Sequence, residues 1–219
     1  MVEQEIASVQ LKMLGIEYVH MTENLIKGFS EHRGMTNVNF ASPAMFRQAL
    51  LQKTTQIDQL LVKNSRLNQL QEKRIPIPND WVKHVTSRWI AIKKQQMDQL
   101  HQWQAHTEII DLLIRHIRDV EEESSISFEE DPALHNLLAI QLEVMPTLLE
   151  SIGKLRDHGT AFSANKVMSE DTKLLFGTMA GQVKMELETL KRVSRLPMAL
   201  QDLEELRFLL ASFRYQVDG

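Results

Sequence analysis

A regular apolar stripe occupies the middle of the chain, between Leu100 and Val120. Its members recur at steps of three and four residues, the spacing that places side chains on one face of an α-helix. They are Leu100, Trp103, His106, Ile110, Leu113, Ile117 and Val120. A stripe of this length needs other helices to cover it, so we expect the rest of the chain to supply the other helices of a bundle.

The composition favours helices over strands. Of 219 residues only 8 are glycine and 6 are proline, and 43% are hydrophobic. The abundant Leu, Gln, Glu, Lys and Met residues form helices readily. We therefore predict an all-α fold, an elongated antiparallel helical bundle that makes one domain over residues 1–219. Two stacked four-helix-type bundles, joined through long helices around residues 79–124, are an alternative arrangement.

Charge, cysteine content and motifs narrow the possible functions. The net charge of -4 gives no basic excess for binding nucleic acid. Absence of cysteine excludes disulfides and thiolate metal sites. No apolar run approaches the roughly 20 residues that cross a bilayer. Glycine-rich phosphate loops, zinc-protease pairs and serine-hydrolase elbows are missing. We therefore predict a chain that is not an enzyme and that binds no cofactor or metal.

Capping and breaking residues predict where the helices begin and end. The first helix should run from Val2 to Arg33 and end near Gly34, with two adjacent apolar stripes forming a wide buried face. Ser42-Pro43 and Asp131-Pro132 each combine a capping residue with a proline suited to the first helical turn. The two prolines within 75–78 predict an extended break.

Later boundaries are marked in the same way. Without a turn near Met97–Gln99, one helix of about 47 residues would span roughly 70 Å; the sequence leaves both possibilities open. Pro146 predicts a kink, Gly159 a helix end and Ser169 a helix start. A nearly heptad stripe follows Pro197 and is typical of a coiled-coil seam. Its members are Leu200, Leu203, Leu206, Leu210, Phe213 and Val217. Glycines inside helices suggest close approach of a second helix at Gly15, Gly28, Gly177 and Gly181.

His106 is the one polar residue of the central stripe. A buried histidine is most often held by a hydrogen bond to a neighbouring helix, and we favour that structural interpretation. The alternative is a ligand-contacting or pH-sensitive group. His32 and Arg33 stand where the first helix should end, and His32 continues one of its stripes. An arginine such as Arg33 suits the recognition of a carboxylate or phosphate. Arg156 stands near the end of the helix that contains Pro146. Their local sequence also fits cations that stabilise helix C-termini.

Several short motifs, in their order and separations, resemble one family. They are Gly15-Ile16-Glu17-Tyr18, EHRGMTNVNF at 31–40, the helix centred on Trp89, WQAHTEII at 103–110, Asp131-Pro132, MPTLLESIGKLRDHG at 145–159 and MSEDT at 168–172. Together they are similar to the all-helical extracytoplasmic sensor domains of bacterial chemoreceptors, sensor histidine kinases and membrane-bound diguanylate cyclases. The chain departs from that family before Asp131, where Ser-Ile-Ser-Phe replaces a Gly-Leu turn.

The resemblance implies a function. It predicts the periplasmic domain of an inner-membrane receptor, with membrane helices flanking these residues and the first and last helices side by side at the membrane. The domain would bind a small solute, or a periplasmic binding protein, form a homodimer and transmit a shift between helices to an output module. Among site residues the resemblance favours His32, Arg33, His106 and Arg156. The rival hypothesis is a cytoplasmic helical scaffold that binds partner proteins.

Overall fold

The structure, a computed structural model, describes residues 2–41, 46–71, 80–128, 131–165 and 170–194. Every regular element within these ranges is a helix, which confirms the predicted all-α bundle. One turn of π-helix, Ile140–Val144, follows the fifth α-helix and leads directly into the sixth. The α-helices are α1 Val2–Ala41, α2 Arg47–Gln71, α3 Asp80–Lys94, α4 Gln99–Ser124, α5 Pro132–Ala139, α6 Met145–Asn165 and α7 Glu170–Ser194.

The first four helices enclose the main hydrophobic core. α1 and α4 are antiparallel neighbours, because His32 lies against His106 at one level and Gly15 lies against Ser124 at another. Trp89 of α3 is the largest fully buried side chain. The core also contains Tyr18, Leu25, Phe29, Ile57, Leu61, Val85, Ile92, Ile109, Ile110, Leu113, Ile117, Val120 and Ile126. Most of the apolar stripe that defines α4 is therefore buried as predicted.

The predicted end of the first helix is wrong. α1 continues through Gly34 to Ala41, and no described glycine has a positive φ. A β-carbon at Gly34 would lie 3.1 Å from both Arg156 Nη2 and Asp157 Oδ1, so this glycine admits α6 rather than capping α1. Thr36 and Asn37, beyond the predicted end, are buried against neighbouring helices.

The expected wide buried face of α1 is only half correct. Leu14, Tyr18, Met21 and Leu25 are buried, whereas the neighbouring stripe is exposed among the described residues. That stripe consists of Ile6, Val9, Met13 and Ile16. α2, α4 and α6 pack against α1 but leave this side of its first half uncovered. Leu100 is also exposed, because it lies in the first turn of α4 near the end of the bundle.

A turn separates α3 from α4, so the alternative of one helix of about 47 residues is excluded. The helical path is interrupted over 95–98, and the Asp98 side chain accepts a hydrogen bond from the His101 backbone N–H at 2.9 Å. This is an N-cap, which starts a new helix in a new direction. Arg88 and Glu108 then form an ion pair between the two antiparallel helices.

The predicted cap at Asp131-Pro132 is confirmed, since Asp131 accepts a hydrogen bond from Ala133 N at 2.8 Å. A π-helical turn lies directly before Pro146, and the kink expected at that proline stays a prediction. Proline has no N–H to donate to the carbonyl four residues earlier, and in an α-helix its ring would clash with that carbonyl. The wider π-helical turn relieves this clash. The predicted helix end at Gly159 is wrong, because α6 continues to Asn165.

α7 packs on α6 and on the π-helical turn, with Leu190 buried between them. Gly177 and Gly181 do not serve close helix contact there: among the described residues nothing lies within 4 Å of a β-carbon built at either. No helix in the described ranges is both long and apolar enough to cross a membrane. The features predicted at Ser42-Pro43, 75–78, Ser169, Pro197 and the stripe from Leu200 to Val217 lie outside the described residues.

Candidate functional site

A buried ion-pair network joins α1, α4 and α6 at Arg33. Its guanidinium donates from Nη1 and Nη2 to the two carboxylate oxygens of Glu150, at 2.6 and 3.0 Å. Arg33 Nε donates to Asp157 Oδ2 at 2.7 Å, and Nη1 also donates to Thr107 Oγ1 at 2.9 Å. We call these four residues the charged junction. It places one arginine between two carboxylates in the interior of the protein.

The local sequence explains how α6 reaches Arg33. Glu150 and Asp157 are seven residues apart, which is two helical turns, so both carboxylates lie on the same face of α6. Gly153 lies between them, and a β-carbon there would be 3.1 Å from Arg33 Nη2. The missing side chain therefore makes room for the guanidinium against the α6 backbone.

The charged junction has one positive and two negative side chains, and a lysine at its edge offsets the extra negative charge. Arg33, Glu150 and Asp157 are all nearly inaccessible to solvent. Burial acts to lower the pKa of Arg33, but the charges and hydrogen bonds of Glu150 and Asp157 outweigh it, so the pKa is raised and the guanidinium stays charged. Lys154, partly exposed, adds a positive charge 3.4 Å from Glu150 and 3.5 Å from Asp111.

Polar side chains extend the junction along α1. Asn37 Nδ2 donates to the Asp157 backbone carbonyl at 2.7 Å, and Gln99 Nε2 donates to Asn37 Oδ1 at 2.5 Å. The guanidinium carbon of Arg33 lies 5.5 Å from the ring centroid of Trp103, within cation–π range. The edge of the Trp103 ring contacts His158. These contacts bind the last turns of α1 and α6 to the start of α4.

His32 and His106 form a hydrogen-bonded pair beside the junction. His32 Nδ1 and His106 Nε2 are 2.8 Å apart. The carbonyl of Gln102, 2.7 Å from His106 Nδ1, can only accept, so Nδ1 of His106 carries the proton and its Nε2 accepts from His32 Nδ1–H. His32 Nε2 is then the unprotonated nitrogen and faces the Thr54 hydroxyl at 3.2 Å.

The histidine pair is held neutral by its surroundings. Burial is the main cause that lowers the pKa of His32 to about 3, followed by the charges of His106 and Lys53. Burial likewise lowers the pKa of His106 to about 4, although its hydrogen bond to the Gln102 carbonyl acts in the opposite direction. Trp89 lies edge-on to His32 with ring centroids 4.9 Å apart. Two neutral imidazoles are thus packed into the aromatic part of the core.

The four predicted site residues occupy different environments. His32, Arg33 and His106 are buried and brought together where α1 meets α4, with every hydrogen-bonding group of Arg33 facing the protein. Arg156 is half-exposed on α6 and donates from Nη2 to Asp157 Oδ1 at 3.1 Å. The structural interpretation of His106 fits its contacts, and whether any of the four binds a ligand stays a prediction.

The sequence interpretation missed Thr54, Thr107, Glu150 and Asp157. The two carboxylates had a signal, namely acidic residues at i and i+7 on the apolar face of a predicted helix. His116 was also missed, although it stands three residues after Leu113 on the buried side of α4. The threonines gave no signal that a single sequence can reveal.

Within the described ranges no group of three or more His, Cys, Asp or Glu side chains is placed to hold a metal ion. Comparisons with protein families, with curated proteins and with solved structures return no match for the chain. The resemblance to bacterial sensor domains therefore stays a prediction.

Proposed function

We propose that this chain is a sensory module of a bacterial transmembrane receptor, located in the periplasm and active as a homodimer. It binds a small solute or a binding protein, and it transmits a shift of α6 relative to α1. The observation that carries the proposal is the charged junction, in which Arg33 of α1 is bonded to Glu150 and Asp157 of α6. The resemblance stated above supports the cellular setting.

The junction suits a two-state signal because it is buried and geometrically specific. A guanidinium that bonds two carboxylates through fixed donors cannot follow a gradual slide, since each intermediate position leaves buried charges unpaired. α6 therefore either keeps this register or leaves it in one step. One helical turn, about 5.4 Å, is the natural step for such a move. A ligand that favours one register shifts the balance between the two.

α1 and α6 are suited to carry such a movement. They run in the same direction: Glu23 accepts a hydrogen bond from Gln141 of the π-helical turn that leads into α6, and Asn37 bonds to Asp157 further along both helices. The π-helical turn at Ile140–Val144 lies at the start of this contact. π-Turns are frequent at functional sites, and reverting this one to α-helix changes the position of everything that follows in α6.

A cross-linking experiment tests the proposed movement. These 219 residues contain no cysteine, so Glu23→Cys with Gln141→Cys introduces two thiols that a short bismaleimide can join, linking α1 to the π-helical turn. Any cysteine elsewhere in the receptor is first replaced by serine. In the complete receptor in its own membrane, the linked protein should lose its response to stimulus while it remains folded. The matched control joins α3 to α4 through Arg88→Cys with Glu108→Cys, a contact that the movement does not need.

The stimulus is found by a thermal-shift screen of amino acids, organic acids and inorganic anions, since a bound ligand raises the melting temperature. A complete gene without apolar segments on either side of these residues contradicts the sensor proposal. An unchanged response after α1 is linked to the π-helical turn contradicts a movement of this turn and α6 as one unit.

A protein-binding scaffold is the second candidate, and one observation favours it. α1 presents the uncovered apolar stripe at Ile6, Val9, Met13 and Ile16, and α7 exposes Leu174 and Met185. Exposed apolar stripes on helices are common at protein interfaces. Partner capture that depends on these side chains, in a protein without membrane segments, would support the scaffold.

A further inference from the structure

His116 lies in the core of the four-helix bundle without a hydrogen bond. Its side chain is on the buried side of α4 and only 2% of the residue is exposed. Among the described residues neither ring nitrogen has a hydrogen-bond partner. The ring stacks on Trp81 of α3, with centroids 4.1 Å apart and planes inclined by 24°. The indole Nε1 of Trp81 is likewise buried and without a partner.

The helix register brings two more polar residues to this level. α1 and α4 are aligned by His32 with His106 and by Gly15 with Ser124, so Thr22 lies at the level of His116. α1 and α2 are aligned by two other contacts, Gly28 with Ile57 and Tyr18 with Asn68. This second alignment places Asn64 at the level of Thr22. We call Thr22, Asn64, Trp81 and His116 the His116 layer.

The His116 layer contains both hydrogen-bond donors and hydrogen-bond acceptors without partners among the described residues. Asn64 is 1% exposed, and its Oδ1 has no partner although its Nδ2 donates to the Leu60 carbonyl. Trp81 Nε1 can only donate, and Asn64 Oδ1 can only accept. Neutral His116 adds one donor and one acceptor. Because unpaired polar groups inside a protein are destabilising, groups that accumulate at one level call for a bound partner.

The layer also lacks charge. None of its four side chains is charged at neutral pH, since burial lowers the pKa of His116 to about 3. Thr22, the fourth member, keeps its hydroxyl on the Tyr18 carbonyl. A bound ion would have no opposite charge to compensate its loss of hydration. The chemistry therefore selects an uncharged partner.

We propose that the His116 layer binds a small uncharged molecule that both donates and accepts hydrogen bonds. Water and a small primary amide share this chemistry, and the test separates them. The site is distinct from the charged junction and the histidine pair, and it does not depend on the proposed sensory function.

Nuclear magnetic resonance of the isotope-labelled full chain tests the proposal. One arm measures cross-relaxation between the carbon-bound ring protons of His116 and water, which indicates long-lived bound water without interference from proton exchange. The other arm adds acetamide and follows the Trp81 Nε1–H and His116 ring-nitrogen resonances. We expect either a bound-water signal or a saturable shift confined to the layer.

Three variants make the result specific. His116→Leu removes both ring nitrogens and should abolish the water signal or weaken acetamide binding by about tenfold, the effect of losing a hydrogen bond. Trp81→Phe keeps the stacked ring but removes the donor, and should weaken acetamide binding by a smaller factor. His84→Leu, an exposed histidine on α3, is the matched control and should leave both signals unchanged.

Two results would overturn the proposal. One is the absence of both a water signal and an acetamide shift in the natural protein. The other is a response that persists unchanged in His116→Leu. Neither measurement involves receptor output, so failure here is distinguishable from failure of the sensory proposal.

Discussion

At the scale of single residues, Arg33 shows how a residue that resembles an anion-binding group can be fully engaged within the fold. Its guanidinium satisfies two buried carboxylates and a threonine hydroxyl. A buried ion pair is not strongly stabilising by itself, but removing one partner leaves buried charge without compensation. The first consequence of changing Arg33 should therefore be structural.

We expect Arg33→Gln to lower the free energy of unfolding by about 3–5 kcal/mol, because Glu150 and Asp157 remain buried without a cation. Urea denaturation followed by circular dichroism measures the change. Arg88→Gln is the matched control: it breaks the exposed ion pair with Glu108 and should cost less than about 1 kcal/mol. Equal stability of the two variants would show that the junction is not a structural requirement.

Ser125 offers a second residue-scale prediction. It caps α4 in the left-handed conformation with φ 54°, and it is the one described non-glycine residue with a positive φ. Glycine adopts this conformation without steric cost, so Ser125→Gly should raise the free energy of unfolding by about 0.5–1 kcal/mol. Ser87→Gly, inside α3, should lower it by a similar amount. A destabilised Ser125→Gly protein would refute the assigned strain.

At the scale of helices, glycines inside helices have opposite roles in α1 and α7. A β-carbon at Gly15 would lie 2.4 Å from Ser124 Oγ and 2.7 Å from Ile126 Cδ1. Gly181 of α7 meets nothing within 4 Å among the described residues. The same residue type therefore permits close packing in one helix and only weakens the other.

Alanine substitution should separate these two cases. Gly15→Ala is expected to lower the free energy of unfolding by about 1–3 kcal/mol, because α4 must move away from α1. Gly181→Ala should raise it by about 0.5–1 kcal/mol through helix propensity. Thermal and urea denaturation of both variants measures the difference in sign. A stabilised Gly15→Ala protein would contradict the close packing of α1 on α4.

Helix boundaries also show what one sequence can predict. The Asp131-Pro132 cap was predictable, since it arises from the local chemistry of aspartate and proline. The ends at Gly34 and Gly159 were not, because glycine at a helix end and glycine beneath a crossing helix look alike in sequence. The prediction that the stripe through Ile6 and Met13 is buried was wrong for a related reason. Periodicity identifies an apolar face but not the helix that covers it.

The candidate site was likewise predictable only in part. Burial of His106 followed from its place in an apolar stripe, whereas its partner His32 lies 74 residues away in sequence. Pairing of Arg33 with Glu150 and Asp157 depends on the register between α1 and α6, which tertiary packing determines. Candidate residues were thus predictable one by one, and their partners were not.

At the scale of the whole molecule, three buried neutral histidines make stability depend on pH. The pKa values of His32, His106 and His116 are lowered to about 3, about 4 and about 3, whereas an unfolded histidine titrates near pH 6.5. The unfolded chain therefore binds more protons than the folded one below pH 6.5. Their contribution to stability is complete above pH 6.5 and is lost as the pH falls toward 4.

We expect the free energy of unfolding to fall by up to about 4 kcal/mol per pH unit between pH 6 and 4, about 1.4 kcal/mol for each histidine. Burial raises the pKa of Glu23 and Glu121, which opposes part of this loss at the acid end. Urea denaturation at a series of pH values measures the slope. His116→Leu should reduce the slope by about one third. A flat profile would show that these histidines titrate normally.

The packing of α7 has a kinetic consequence. α7 packs mainly on α5, the π-helical turn and α6, and among its described side chains Leu190 is the one buried apolar residue. A helix attached on one side can detach while the bundle of α1 to α4 stays intact. Its amide protons should accordingly exchange with deuterium well before those of α4, and the peptides covering 170–194 should be the first in the described chain to lose protection.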